Sequence, residues 1–313
     1  MNIGKSIKLL IFIVLIYTLI CIAPNYFSVS YIFKKIHFEV WFNGLILIII
    51  SQFLMSFRWH YLINQFENKL NYKESLSIYL AGLSLIAFPG RTGEAIRSLW
   101  IKKRYNIPLN IGIGVTISER LGDLISVLII IVFSTIDKSL FIIVISISIF
   151  SVVLYKAFIV NFLSYVFTKI ISKIKFYKDT IIFNEINNGI KNTIRLFNPL
   201  QLIISLTLIT FVWLIESFLF LIIFNHLNIN ITYQQSLLIR TVMGLGGAIS
   251  LLPAGILTSE TTSIALAIAY GSGRIEAITA TLFVRFYTLV IPLVLGIISF
   301  FYQKDINTIK IRK

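Results

Sequence analysis

The chain has 313 residues, 57% hydrophobic and 13% charged, with a mean hydropathy of +0.89. Soluble domains carry about 25% charged residues, so this composition excludes an ordinary water-soluble globule. The net charge of +15 needs no nucleic-acid partner, because Lys and Arg on cytoplasmic loops set the topology of membrane proteins. Apolar runs of roughly 17 to 25 residues recur along the chain, the length of a membrane-crossing helix. The short alternating segments of an outer-membrane barrel are not the pattern here. The expected fold class is an all-α polytopic membrane protein.

In chain order, the start MNIGKSIKLLIFIVLIYTLICIAPN places Lys5 and Lys8 before an apolar run. No small-residue cleavage site follows, so this reads as an uncleaved helix over about 7–23 with its N-terminus inside. Its Cys21 is the single cysteine, which excludes a disulfide framework. Further spans are predicted at about 40–57, 110–134, 139–157, 200–224 and 277–302. Two apolar regions, about 75–104 and 234–270, are interrupted by FPGRTGE (88–94) and LPAGILTSE (252–260). Pro89, Gly90, Gly93, Pro253 and Gly255 are the helix-breaking residues. Broken backbone at membrane depth has to sit inside protein or line a cavity. Between 158 and 182, Phe162, Val166, Ile170 and Ile174 alternate with Lys169, Lys173 and Lys175. That pattern fits an amphipathic helix on the inner membrane surface or a solvated basic loop.

Charge placement orients the chain. Arg58, Lys69 and Lys73, then Arg97 to Arg104, then the polar stretch 156–198, then the C-terminal tail all fall on the cytoplasmic side if each broken region is a re-entrant hairpin. Lys34 and Lys35 fall outside. The expectation is about six full transmembrane helices plus two re-entrant hairpins, with both termini cytoplasmic, in a cytoplasmic (inner) membrane. Ten spans result if both hairpins cross.

The two broken regions resemble each other. Tyr72, Ser75, Leu76, Pro89 and Glu94 correspond to Tyr233, Ser236, Leu237, Pro253 and Glu260. Glu94 precedes Glu119, and Glu260 precedes Arg285, by 25 residues. This suggests repeats over about 72–134 and 233–302, inverted by the topology, as in transporters whose sites lie near the midplane. Within the apolar stretches stand Arg91, Glu94, Arg97, Glu119, Arg120, Asp123, Glu216, Arg240, Glu260 and Arg285. Each costs on the order of 2.5 to 3.5 kcal/mol at the bilayer centre. Glu119 and Asp123 share a helix face, with Arg120 beside Asp123 at i,i+3. Ion pairs locking helices together are one reading of the set; a polar cavity is the other. Buried pairs rarely outperform apolar packing, which favours the cavity. Its arginines suit phosphate.

His37, His60 and His226 lack metal-ligand spacing, and no phosphate-binding GxxxxGK[ST] loop is present. No metal or cofactor is expected, and no catalytic motif is recognised. Gly112, Gly114, Gly244, Gly246 and Gly247 read as helix-packing glycines.

The segment FPGRTGEAIRSLWIKKRYNIPLNIGIGVTISERLGDLISVL resembles the PGRxGE…R…IP…ER…D pattern of the flippase-like family, the lysylphosphatidylglycerol synthase transmembrane region. LPAGILTSETTSIALAIAYG…ATLFVRFYTLVIPLVLG resembles its second block, departing from it at Ala254-Gly255-Ile256-Leu257. The resemblance implies a lipid flippase domain without the soluble synthase domain, so lipid aminoacylation by this chain is not expected. The expected function is translocation of an anionic phospholipid or lipid-linked glycan between leaflets. Arg91, Arg120, Arg240 and Arg285 are the expected phosphate contacts. The expected partners are membrane phospholipid or glycolipid, with lipid-modifying or glycan-assembly enzymes alongside. The alternatives are a membrane enzyme or scaffold of lipid-linked glycan synthesis, and an ion-coupled small-solute carrier.

Overall fold

The computed structural model describes residues 36–66, 70–86, 92–135, 165, 169, 181–250 and 252–310. The expected spans at 7–23 and 139–157 lie outside these residues, as do Pro89, Gly90, Arg91 and most of 158–182. What is described is helical, as lipid demands: only a helix satisfies its own backbone N–H and C=O groups within one segment.

Helix α1 runs Phe38–Ile63, α2 Tyr72–Leu83, α3 Thr92–Tyr105 and α4 Leu109–Thr135. Helix α5 runs Ile181–Leu196, α6 Pro199–His226 and α7 Tyr233–Ile249. Helices α8 (Thr258–Ala269), α9 (Arg274–Arg285) and α10 (Ile291–Lys310) follow, with a π-turn at Phe286–Val290 between the last two. By length and apolarity the candidate membrane spans among the described residues are Phe38–Ile63, Pro199–His226 and Arg274–Tyr302. Helix α4 has 27 residues, about 40 Å. It is long enough to cross, yet every 18-residue window of it contains Glu119, Arg120 and Asp123.

One expectation about the chain is corrected. The second span does not stop near residue 57: α1 continues to Ile63, which carries Arg58 off the expected cytoplasmic loop and into the helix. The expected amphipathic segment 158–182 falls mostly outside the described residues; within the polar stretch 156–198, a helix lies at Ile181–Leu196. Its Gly189, Ile190, Thr193 and Leu196 are buried, while Asn184, Asn188, Lys191 and Arg195 face outward. The short polar residues Asn187, Asn188, Asn192 and Thr193 conceal this periodicity in a composition reading.

Both broken regions are helix, break, helix. In the first, α2 has 12 residues and α3 has 14, about 18 and 21 Å, each short of the roughly 30 Å hydrocarbon core. Gly93 abuts the Gly82 carbonyl oxygen, so a side chain there has no room. In the second, a capping box at Thr232 and Gln235 starts α7. A short 3-10 turn, Pro253–Gly255, then separates α7 from α8. Ala254, Gly255 and Leu257 all have positive φ, at 54°, 66° and 73°, and strain of this kind collects at functional loops. A Cβ on Gly255 would lie 2.6 Å from the Gly247 Cα, so only glycine meets both the angle and the approach.

The described chain divides into two compact units. The larger holds the described residues up to Leu54, those of Leu80–Gly93, and those from Phe211 onward. Its core gathers Leu219, Phe220, Ile223 and Phe224 of α6, Ile239 and Met243 of α7, and Ala277, Ala280 and Phe283 of α9. Tyr287, in the π-turn, is buried against Gly44 and donates to the Trp41 carbonyl oxygen at 2.9 Å. The smaller unit holds Met55–Tyr79 and the described residues of Glu94–Thr210. In it α5 packs along α4 at Gly114 and Gly189, where a Cβ on Gly114 would lie 2.9 Å from the Gly189 carbonyl oxygen. Glu185 of α5 accepts from the Asn110 N–H at 3.0 Å, filling one of the open donors at the start of α4.

Candidate functional site: two groups of buried ion pairs

In the smaller unit the structure brings together Glu94, Arg97, Glu119, Arg120 and Asp123, and adds Arg58. Arg58 is wholly buried. Its Nη1 donates to Asp123 Oδ1 at 2.5 Å, its Nε to Ser205 Oγ at 2.8 Å and its Nη2 to the Glu119 carbonyl oxygen at 2.8 Å. Room for this guanidinium comes from Gly122, where a Cβ would lie 2.6 Å from Arg58 Nη2. Gly122→Ala is therefore expected to destabilise by about 1 to 3 kcal/mol, the range for overpacking; a thermal unfolding curve matching wild type would refute the close-approach role.

Arg97 reaches Glu119 from α3. Its Nη2 donates to Glu119 Oε2 at 3.0 Å, and its guanidinium carbon lies 5.5 Å from the Trp59 ring centroid and 5.1 Å from that of Tyr79. The aromatic faces attract the cation and fix its plane. The pair is joined by one leg only: Arg97 Nη1 and Glu119 Oε1 are buried without a hydrogen-bond partner. Arg120 completes the group, with Nη1 2.7 Å from Asp123 Oδ2 and Nε 3.1 Å from Glu94 Oε2. Arg120 and Glu94 are 31% and 21% exposed, whereas Arg97 and Glu119 are 4% and 1%. The cluster thus has a deeply buried inner part and a more open edge. Its three arginines face three carboxylates.

The larger unit holds two separate pairs. Glu216 of α6 binds Arg240 of α7 through both Nε and Nη2, the Nε contact at 2.8 Å. Ser51 Oγ donates to the other carboxylate oxygen at 2.6 Å, and the Trp213 ring lies 4.4 Å below the Arg240 guanidinium. This pair is well satisfied. The second pair is different. Arg285 Nε lies 2.5 Å from Glu260 Oε1, yet neither Glu260 oxygen receives a directed hydrogen bond. Arg285 Nη2 instead donates to the Ala254 carbonyl oxygen at 2.9 Å, which ties the end of α9 to the positive-φ turn.

A shared pattern links the two breaks. Glu94 is the third residue of α3 in Thr92-Gly93-Glu94, and Glu260 is the third residue of α8 in Thr258-Ser259-Glu260. Each carboxylate sits in the first helical turn, where the macrodipole is positive. Each faces an arginine of the next long helix, Arg120 or Arg285. The ion-pair partner of Glu94 is Arg120, the residue that follows Glu119 in the chain.

Arg58 is the residue that the sequence reading misses. The signal was present: Trp59, Leu62 and Ile63 continue the apolar pattern past Phe57, so the helix containing Arg58 extends beyond the purely apolar run. Trp59, Tyr79, Ser51 and Trp213 were also missed, because an aromatic or a serine in an apolar stretch carries no charge signal.

Curated proteins and solved structures give no match to this chain. The family model for the lysylphosphatidylglycerol synthase transmembrane region, by contrast, matches residues 6–296. That range takes in both breaks and all of the ion pairs just described, so the chain belongs to the family of the lysylphosphatidylglycerol synthase transmembrane region.

Proposed function

We propose that this membrane protein is a lipid translocase. It moves the headgroup of an anionic phospholipid or lipid-linked glycan between the leaflets of the cytoplasmic membrane while the acyl chains stay in lipid. The family supports lipid or glycolipid handling. The observation that carries the finer reading is the pair of under-satisfied ion pairs, Arg97–Glu119 and Glu260–Arg285, each with one member on the helix that follows a break. A static bundle gains little from buried charge relative to apolar packing. A transport path needs groups that exchange partners.

In this reading the two broken regions are re-entrant hairpins of an inverted repeat, over about 72–134 and 233–302, with both termini cytoplasmic. Arg120, Arg240 and Arg285 each face a carboxylate. A phosphate would therefore reach them by exchange rather than by filling a free site, which suits passage better than tight capture. Arg91 is proposed as a further contact.

The test is reconstitution into liposomes carrying fluorescent anionic phospholipids and glycolipids, with a membrane-impermeant quencher. Leaflet exchange well above protein-free liposomes is expected. Exchange equal to the protein-free rate across the whole panel would overturn the proposal.

A further inference from the structure

We infer that the one-legged Arg97–Glu119 pair is a receptor for hydroxyl groups of a glycerol or sugar headgroup. This rests on the lipid-handling reading above and specifies the chemistry it recognises. The two open atoms are complementary: Arg97 Nη1 is a donor lacking an acceptor, and Glu119 Oε1 is an acceptor lacking a donor. Both side chains are more than nine-tenths buried, so bulk water does not satisfy them and the deficit is costly. A hydroxyl is a neutral group that both donates and accepts. A phosphate offers acceptors alone and would oppose Glu119; an ammonium offers donors alone and would oppose Arg97.

Charge balance points the same way. Among the described residues, Arg58, Arg97 and Arg120 are matched one for one by Glu94, Glu119 and Asp123. The reach also fits. With Nη2 and Oε2 at 3.0 Å, the open Nη1 and Oε1 lie within roughly 7 to 8 Å of each other, given planar forks on both groups. One hydroxyl at about 2.8 Å from each atom spans up to roughly 5.5 Å, and two adjacent hydroxyls span the remainder. Adjacent hydroxyls occur in glycerol headgroups and in sugars. Trp59 and Tyr79 hold the guanidinium plane, so Nη1 is fixed before the ligand arrives.

The experiment measures lipid binding to the full chain in detergent micelles by native mass spectrometry. The glycerol arm compares dioctanoyl phosphatidylglycerol with dioctanoyl phosphatidylmethanol, which keeps the charge and lacks the hydroxyls. The sugar arm compares dioctanoyl glucosylglycerol with its per-O-methylated form. In at least one arm the hydroxyl-bearing lipid is expected to bind about tenfold or more tightly, the scale of a hydrogen bond to a charged group; the arm that responds identifies the source. The double variant Arg97→Met/Glu119→Leu removes both open atoms without stranding a charge and is expected to lose the preference. Should it fail to fold, Glu119→Gln, which places an amide at the same position, is expected to reduce the preference severalfold. No preference in either arm means that the pair holds only resident water, and overturns the inference; so does a preference that survives these variants. Leaflet exchange without hydroxyl preference overturns this inference alone. Hydroxyl preference without leaflet exchange overturns the translocase reading alone.

Discussion

Arg58→Ala is expected to be the most damaging single substitution, costing about 3 to 5 kcal/mol. That is the range for removing one partner of a buried pair. Arg58 is fully buried and serves Asp123, Ser205 and the Glu119 carbonyl oxygen from α1. Its loss removes an arginine facing Asp123 and leaves Ser205 Oγ and the backbone carbonyl without this donor. At 2 to 4 °C per kcal/mol for chains of this order, the unfolding midpoint in detergent should fall by about 10 °C. Arg58→Lys should recover little of it, because a single ammonium cannot match a planar fork aimed at three acceptors. A midpoint within 2 or 3 °C of wild type for Arg58→Ala would show that the pair is not a structural anchor.

The second large effect separates stability from transport. Arg285→Met strands the Glu260 carboxylate in the protein interior and frees the Ala254 carbonyl oxygen. A loss of about 3 to 5 kcal/mol is expected. Adding Glu260→Leu removes the stranded charge and should bring the unfolding midpoint most of the way back. The double variant is nevertheless expected to exchange lipid at the protein-free rate, because the partner-exchanging pair at the break is gone. If the double variant is both stable and fully active, Glu260 and Arg285 are a helix lock and no part of the path. Measuring unfolding and leaflet exchange on the same preparations makes the two outcomes distinct. For Glu216–Arg240, where Ser51 and Trp213 complete the pair, an apolar double replacement removes one of the proposed phosphate contacts and is expected to slow exchange without abolishing it.

Membrane residence, helical class and the two breaks are determined by the sequence itself. Apolar length and proline or glycine interruptions are local properties, and lipid allows few ways to satisfy a backbone. The ten charges within apolar stretches could be named for the same reason, since a charge is costly in any membrane-crossing segment. Even Arg120 beside Asp123 was legible, because i,i+3 neighbours meet on any helix. Choice of partner was not legible. That Arg58 belongs with Asp123, that Glu94 faces Arg120, and that Arg97 lies between Trp59 and Tyr79 depends on how separate helices pack. Sequence spacing holds no record of such contacts. Satisfaction is a further property of tertiary structure alone: Glu216 and Glu119 look equivalent in an apolar run, yet one has its hydrogen bonds and the other lacks one. That difference is decided by whether neighbouring helices happen to supply a donor.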